Sequence, residues 1–178
     1  MSDTRSDYVS GLIRDVADFP KPGVTFKDIT PLLADATGFR DAIALLAEMA
    51  PDQIDVVVGM EARGFIFAAP VATVLGAGFV PVRKPGKLPK DVYTETFSLE
   101  YGTETLAVHT DAAFPGARVL VIDDVLATGG TIAATAALVK KLGAELVHVA
   151  VLMELSFLGG RTVLADQGIT SCSAVITV

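Results

Sequence analysis

Apolar residues along this chain recur in two periods, and their alternation sets the fold class. Val9, Leu12, Ile13 and Val16 fall at i, i+3, i+4 and i+7, which predicts a helix with one apolar face. Phe39, Ala42, Ile43, Leu46 and Met49 predict a second such helix over 38–50. Between the two, Pro20, Pro22, Gly23 and Pro31 suppress helix, so residues 19–31 read as an extended arm. Runs apolar at nearly every position follow at 55–59, 79–83, 119–122 and 145–155. Such runs predict strands buried on both faces, as in a parallel sheet. Pro81 removes one ladder donor, so the 79–83 strand is expected to be short or irregular. Helical patterns run on to about Leu75 and to Lys140-Lys141-Leu142-Gly143, where Gly143 suits a C′ cap and the lysines suit the helix dipole. The β-branched tail, 170–178, predicts a last strand.

One stretch has the other period. Over 94–101, Phe97, Leu99 and Tyr101 alternate with Thr96, Ser98 and Glu100; Gly102 then turns the chain into 106–110. This predicts a hairpin that interrupts the strand–helix alternation and projects from it. The whole is an α/β fold, a mostly parallel sheet with helices on both faces. A length of 178 residues fits one domain, 1–178, and no linker or repeat divides it.

Composition narrows the partners. Hydrophobic content of 51% excludes disorder, yet no apolar run is long enough to span a bilayer, so no membrane partner is expected. Net charge of −7 argues against nucleic acid. The N-terminus lacks a signal-peptide pattern, and a single cysteine, Cys172, leaves no internal disulfide, so a cytoplasmic location is expected. Cys172 reads as a small core or strand residue. His109 and His148 lack metal-ligand spacing to other donors and read as structural.

Candidate chemistry centres on Arg118-Val-Leu-Val-Ile-Asp-Asp-Val-Leu-Ala-Thr-Gly-Gly-Thr131. A buried strand ends in two carboxylates, Asp123 and Asp124. A loop of small residues, Ala127, Thr128, Gly129, Gly130 and Thr131, then opens a helix. Free amides at a helix N-terminus suit a phosphate, glycines let it approach, and threonines add hydroxyl donors. Adjacent carboxylates would repel a bare phosphate, so they fit ribose hydroxyls or a hydrated Mg²⁺ beside it. The strand–loop–helix at 55–75 repeats this layout, with Arg63 at the helix start, where a cation is unfavourable unless it meets an anion. Residues 83–90 concentrate four cations, Arg83, Lys84, Lys87 and Lys90, in a net acidic protein. That points to a highly charged anion, and Gly86 with the prolines to a loop that can close.

The Asp-Asp…Thr-Gly-Gly-Thr run resembles the phosphoribosyl diphosphate (PRPP) motif of the type I phosphoribosyltransferases. Further pieces match the adenine-specific branch of that family: residues 18–28, Gly59-Met-Glu-Ala-Arg-Gly-Phe65, Arg83-Lys-Pro-Gly-Lys-Leu-Pro89, Leu99-Glu-Tyr-Gly102, and Glu154-Leu155 with Gly160-Arg161. Together these cover nearly the whole chain. The resemblance implies the type I phosphoribosyltransferase fold, with an N-terminal base-binding hood arm in 1–34 and a basic, flexible loop and hairpin in 83–110. It implies transfer of the 5-phosphoribosyl group from PRPP to adenine, giving AMP and pyrophosphate, with Mg²⁺ carried mainly by PRPP and no dedicated metal residues. Asp123 and Asp124 would then engage the ribose, and 127–131 the 5′-phosphate. Arg63, Arg83, Lys84 and Lys87 would hold pyrophosphate. Phe26 and Leu155 would flank the purine, and the backbones of Thr25 and Lys27 would read its edge. Glu100 would be a proton donor to adenine, catalytic together with Arg63. The family further implies a homodimer and a non-proline cis peptide between Glu61 and Ala62. Thr25, Lys27 and Pro85 depart from the common family pattern. A transferase for another base, or a PRPP-sensing regulator on the same fold, are the alternatives.

Overall fold

A computed structural model describes residues 4–98 and 102–178, and the chain divides into two compact units, one up to Leu45 and one over Leu46–Val178. In the first, helix α1 (Thr4–Gly11) is followed by strands β1 (Arg14–Val16) and β2 (Phe26–Asp28) and helix α2 (Thr30–Ala34), and helix α3 (Ala36–Glu48) begins there and ends in the second. The expected helix through Val16 is therefore corrected: it stops at Gly11, and Arg14–Val16 forms an antiparallel ladder with Phe26–Asp28. The reason lies across the ladder. Its register sets Arg14 opposite Asp28 and Asp15 opposite Lys27, with charge contacts of 2.6 and 2.7 Å. Opposite charges at facing positions favour the pairing over continued helix. Asp28 also accepts from the Thr30 amide at 2.9 Å. That amide, with Arg14, holds the Asp28 carboxyl at about 2. Between the strands the Pro-rich stretch is turned by Asp18, whose Oδ1 accepts from the Gly23 amide at 2.8 Å.

The second unit holds strands β3 (Val56–Met60), β4 (Gly78–Val82), β5 (Val92–Ser98), β6 (Thr103–His109), β7 (Arg118–Leu126), β8 (Glu145–Glu154) and β9 (Cys172–Thr177). Its helices are α4 (Arg63–Leu75), α5 (Gly130–Lys141) and α6 (Gly160–Asp166), the last preceded by a single 3₁₀ turn, Ser156–Leu158. Five strands form one parallel sheet in the order β4-β3-β7-β8-β9, and β5 and β6 form a separate antiparallel hairpin. Along the central strands, side chains alternate between the two faces. Val58 and Met60 of β3 and Val119 and Val121 of β7 join Ile132 and Leu138 of α5 and Leu106 and Val108 of β6 in one core. Gly59, between them, faces α4 so closely that a Cβ there would lie 2.6 Å from that of Ala68.

Two expectations change. Pro81 leaves β4 regular over five residues, because β4 is the edge strand of its sheet and its open side requires no donor there. The hairpin is anchored in the core through Leu106 and Val108 and bridges β4's end at Arg83 and Ala107. Helix α6 goes beyond the sequence reading. Gly143 caps α5 as expected: its φ is +73°, and the Ala144 amide donates to Val139 O, five residues back, at 3.2 Å.

Candidate active site

Strand β3 feeds α4 and returns on one side as β4, whereas β7 lies on its other side and leads on to β8 and β9. The strand order thus reverses between β3 and β7, and ligands of open α/β sheets bind at the carboxyl ends of strands at such a point. The acidic pair occupies it, with one correction to the sequence reading. Asp123 and Asp124 do not follow the strand; β7 continues through them to Leu126. The β3 ladder stops at Gly59↔Ile122, while the β8 ladder continues from Asp123↔Val151 to Leu126↔Glu154. One flank of the pair is therefore held by β8, and the other opens where β3 has ended.

A cleft of about 470 Å³ lies there, and its lining brings Arg63, Asp123, Asp124, Ala127 and Thr131 together with Glu61. Asp123 and Asp124 are 8% and 5% exposed. Asp123 Oδ1 accepts from the Asp124 amide at 3.0 Å and lies against Gly64, where a Cβ would come within 2.7 Å of it. Burial, then the adjacent Asp124 carboxylate, pushes Asp123 well above the usual carboxylate range. Burial raises Asp124 too, against the pull of Arg63. Arg63 Nε stands 2.9 Å from Asp124 Oδ2, a charge contact without hydrogen-bond alignment, so that buried oxygen keeps acceptor capacity. This contact answers the misplaced cation: α4 begins at Arg63, and the neighbouring strand supplies its anion.

The loop after β7 presents backbone rather than charge. Gly129 at φ +85° precedes α5, and no side chain caps the helix. By helix geometry the amides of Gly130, Thr131 and Ile132 have no intrahelical acceptor; the Ala133 amide is the first to bond back, to Gly129 O at 2.9 Å. The loop is held from behind. A Cβ on Gly160 would meet Ala127 O, one on Gly129 would meet Gly160 O at 2.8 Å, and one on Gly130 would meet Phe97 at 3.0 Å. Gly160 was not singled out as a site residue, since its role exists only through that contact.

The basic run is sorted by carboxylates. Arg83 donates from Nε and Nη2 to the two Glu61 oxygens at 3.3 and 3.2 Å, and from Nη1 to Lys87 O at 3.1 Å. The Lys84 amide also donates to Glu61, and Lys84 Nζ pairs with Glu104 at 3.3 Å. Arg83, then the Lys84 amide, holds the Glu61 carboxyl below its usual range. Glu61 is thus a further residue of the cleft that sequence reasoning passed over. The peptide between it and Ala62 is cis, as expected.

Of the other candidates, Thr25 is exposed, Phe26 packs edge-on against Phe19 at 5.2 Å, and Lys27 pairs with Asp15. Leu155 is held at the end of β8 by its amide bond to Leu126 O at 2.9 Å. Glu100 lies outside the described residues. His148 has both ring nitrogens on serines, Ser171 at 2.7 Å and Ser173 at 3.1 Å, and burial lowers its pKa. It lines a separate cavity of about 340 Å³ with Lys140 and Gln167. Cys172 is a half-buried residue of β9.

Residues 27–174 match the phosphoribosyl transferase domain family. An adenine phosphoribosyltransferase of Cutibacterium acnes is 64% identical over 98% of both chains, and one of Escherichia coli O157:H7 is 52% identical over 95% of this chain and 93% of its own. The solved adenine phosphoribosyltransferase of Thermoanaerobacter pseudethanolicus superposes with a TM-score of 0.93 at 46% identity, over 97% of this chain and 99% of that one. That of Saccharomyces cerevisiae, in complex with adenine and an imino-altritol bisphosphate, superposes at 0.89 with 34% identity, over 97% and 98%. An acidic pair and a helix N-terminus at the reversal of a parallel sheet agree with these likenesses, and the chain belongs to the phosphoribosyltransferase family, in its adenine branch.

Proposed function

We propose that this pentosyltransferase moves the 5-phosphoribosyl group of PRPP to adenine, releasing pyrophosphate and forming AMP. The observation that carries the reading is Arg63 against Asp124 at 2.9 Å, where the sheet order reverses, beside the bare amides of α5. The arrangement offers each part of PRPP a different chemistry. Amides and hydroxyls over 127–131 suit the 5′-phosphate. Asp123 and Asp124 suit the ribose hydroxyls. Arg63, Arg83, Lys84 and Lys87 suit the pyrophosphate, whose departure leaves positive charge on C1′.

For Mg²⁺ the donor set is the acidic pair, with Asp124 Oδ2 buried and lacking a hydrogen bond; among the described residues no three His, Cys, Asp or Glu side chains cluster for a metal. That set fits a hydrated ion carried on the phosphates, with Asp123 and Asp124 as its nearest protein groups. Bound there, Mg²⁺ would neutralise the leaving pyrophosphate.

Base choice we assign to the arm: the ring of Phe26 as an apolar wall, and the backbones of Thr25 and Lys27 as directional donors and acceptors that mispair with 6-oxopurines. Leu155 offers a further apolar side chain at the ligand end of the sheet. Glu100 is our candidate for the proton passed to adenine N7. A homodimer is consistent with the exposed apolar side chains Ile66 and Val74 on α4 and Val92 and Tyr93 on β5. A cytoplasmic location accords with a single cysteine and no disulfide. Incubation with PRPP, Mg²⁺ and each of adenine, guanine, hypoxanthine and orotate, with pyrophosphate and nucleotide measured, tests the reading. Adenine is expected to support turnover and the others little; silence with adenine sinks the assignment.

A further inference from the structure

Arg83 opens the basic run, and all three of its guanidinium nitrogens already have partners. Nε and Nη2 lie on Glu61, and Nη1 lies on the Lys87 carbonyl. The Glu61 carboxylate takes both halves of that fork, adds the Lys84 amide at 3.2 Å, and itself lines the cleft. It is mostly enclosed, with its side chain 20% exposed beside an Arg83 side chain at 32%. A carboxylate on a guanidinium fork presents the same planar pair of oxygens that a phosphate presents. Anything with phosphate oxygens that binds Arg83 must therefore share the guanidinium with Glu61 or displace it, and in either case brings its negative charge close to the Glu61 carboxylate.

We propose that Glu61 is an internal competitor for Arg83: a positioning residue that lines the cleft, holds the guanidinium at its own carboxylate and weakens the hold on pyrophosphate. The inference rests on the reading of Arg83 as a pyrophosphate cation. It assigns Glu61 a role in selecting between states of the site. With Glu61 on Arg83, the cation is oriented but electrically matched, so a departing pyrophosphate meets a carboxylate ready to reclaim its partner. The same chain shows why the device is needed. Arg83, Lys84 and Lys87 lie within five residues, and unopposed they would hold a multiply charged product tightly. Of the three, Arg83 is the one whose fork is closed by a carboxylate of the cleft itself.

The test is calorimetric titration of pyrophosphate with Mg²⁺ into the unmodified chain and the variants Glu61→Gln, Arg83→Gln and the double variant. Glu61→Gln keeps the shape and removes the charge. It is expected to tighten pyrophosphate binding by about tenfold. In the Arg83→Gln background the same change is expected to matter by less than about threefold, because the contested partner is gone. A residue with only a structural role lowers thermal stability without tightening binding. Unchanged or weaker binding by Glu61→Gln overturns the proposal, and so does equal tightening in both backgrounds. Glu61→Ala serves the same test if the glutamine variant does not fold. AMP formation by the unmodified chain is measured separately: its absence defeats the adenine reading, while the titration still decides the role of Glu61.

Discussion

The chain builds the same local unit at two places, and the two use it differently. Both β3–α4 and β7–α5 run from a central buried strand through a short loop into a helix N-terminus. The α5 start is neutral, with Gly129, Gly130 and Thr131 offering amides and a hydroxyl, and its cations, Lys140 and Lys141, sit at the far end where the dipole favours them. The α4 start carries Arg63, the sign the dipole disfavours, and no cation stands in its last turn. A neutral helix start is an anion site by itself. A cationic one is half of an ion pair, and here the other half, Asp124, comes from the strand that leads into the first kind of site. The acidic pair therefore belongs to both strand–loop–helix units, which ties the end proposed to hold the 5′-phosphate to the end proposed to release pyrophosphate.

The largest effect is expected where that tie is cut. Arg63→Ala removes the cation and leaves the buried Asp124 without its charge partner. We expect kcat/KM for PRPP to fall by about a thousandfold, with Arg63→Lys recovering only a small part because an ammonium lacks the planar fork. A fall below about tenfold for Arg63→Ala would mean the two units work independently. The loop proposed for the 5′-phosphate breaks through backbone instead. Gly129→Ala meets both a positive φ and the Gly160 carbonyl at 2.8 Å. The expected result is a KM for PRPP raised by about 10- to 100-fold together with lost stability of roughly 1–3 kcal/mol. Gly116→Ala separates the two causes: its φ of +82° is similar, but the space around it is open. It should lose about 1 kcal/mol in thermal or urea unfolding and leave KM alone.

These contrasts also mark what the sequence could tell. Elements set by local period were legible: the buried runs that became β3, β7 and β8, the helices α4 and α5, and the Gly143 cap. The early helix was misjudged because Val9, Leu12, Ile13 and Val16 keep helical spacing while the ladder that claims Arg14–Val16 depends on Asp28 and Lys27 beyond a Pro-rich loop. The end of β7 was placed too early at Ile122, since carboxylates look like a strand's exit until β8 is known to continue beside them. In the site, Arg63 and the acidic pair announced themselves by being electrostatically out of place. Glu61 did not; its partner lies 22 residues away, and nothing in its own neighbourhood shows that it grips Arg83. Gly64 and Gly160 stand in matched motifs, but the contacts that require them are visible only in the fold.

A smaller effect, of opposite sign, is expected at Asp123. Its carboxyl is raised by burial and by Asp124, so the folded chain keeps a proton that the unfolded chain releases at roughly pH 4. Stability therefore falls as pH rises from there through the raised value, and a penalty remains at neutral pH. Asp123→Asn lifts that penalty while its Oδ1 can still accept from the Asp124 amide. We expect the variant to be more stable than the unmodified chain at neutral pH, with the advantage gone below about pH 4. Equal stability at both pH values would show that the buried pair costs the fold nothing.

The smallest effect should come from the far end of α5, and it asks whether the two helices differ only at their starts. Lys141 Nζ pairs with Glu95 of the hairpin at 2.7 Å and donates to the Thr94 carbonyl. Helix α4 ends without a cation, on Gly76 in the left-handed conformation. Both partners of the Lys141 pair are partly exposed, at 43% and 30% of their side chains. Such pairs contribute at most about 1 kcal/mol and are weakened by salt. The hairpin has stronger anchors in Leu106 and Val108, both buried in the core. Lys141→Met should therefore lower the melting temperature by no more than about 2–4 °C, less in high salt, with KM for PRPP unchanged. A shift in KM would mean that the hairpin's seating on α5 reaches the Gly129–Gly130 loop, through the packing of Phe97 against Gly130. The contrast between the two helices would then extend along their full length.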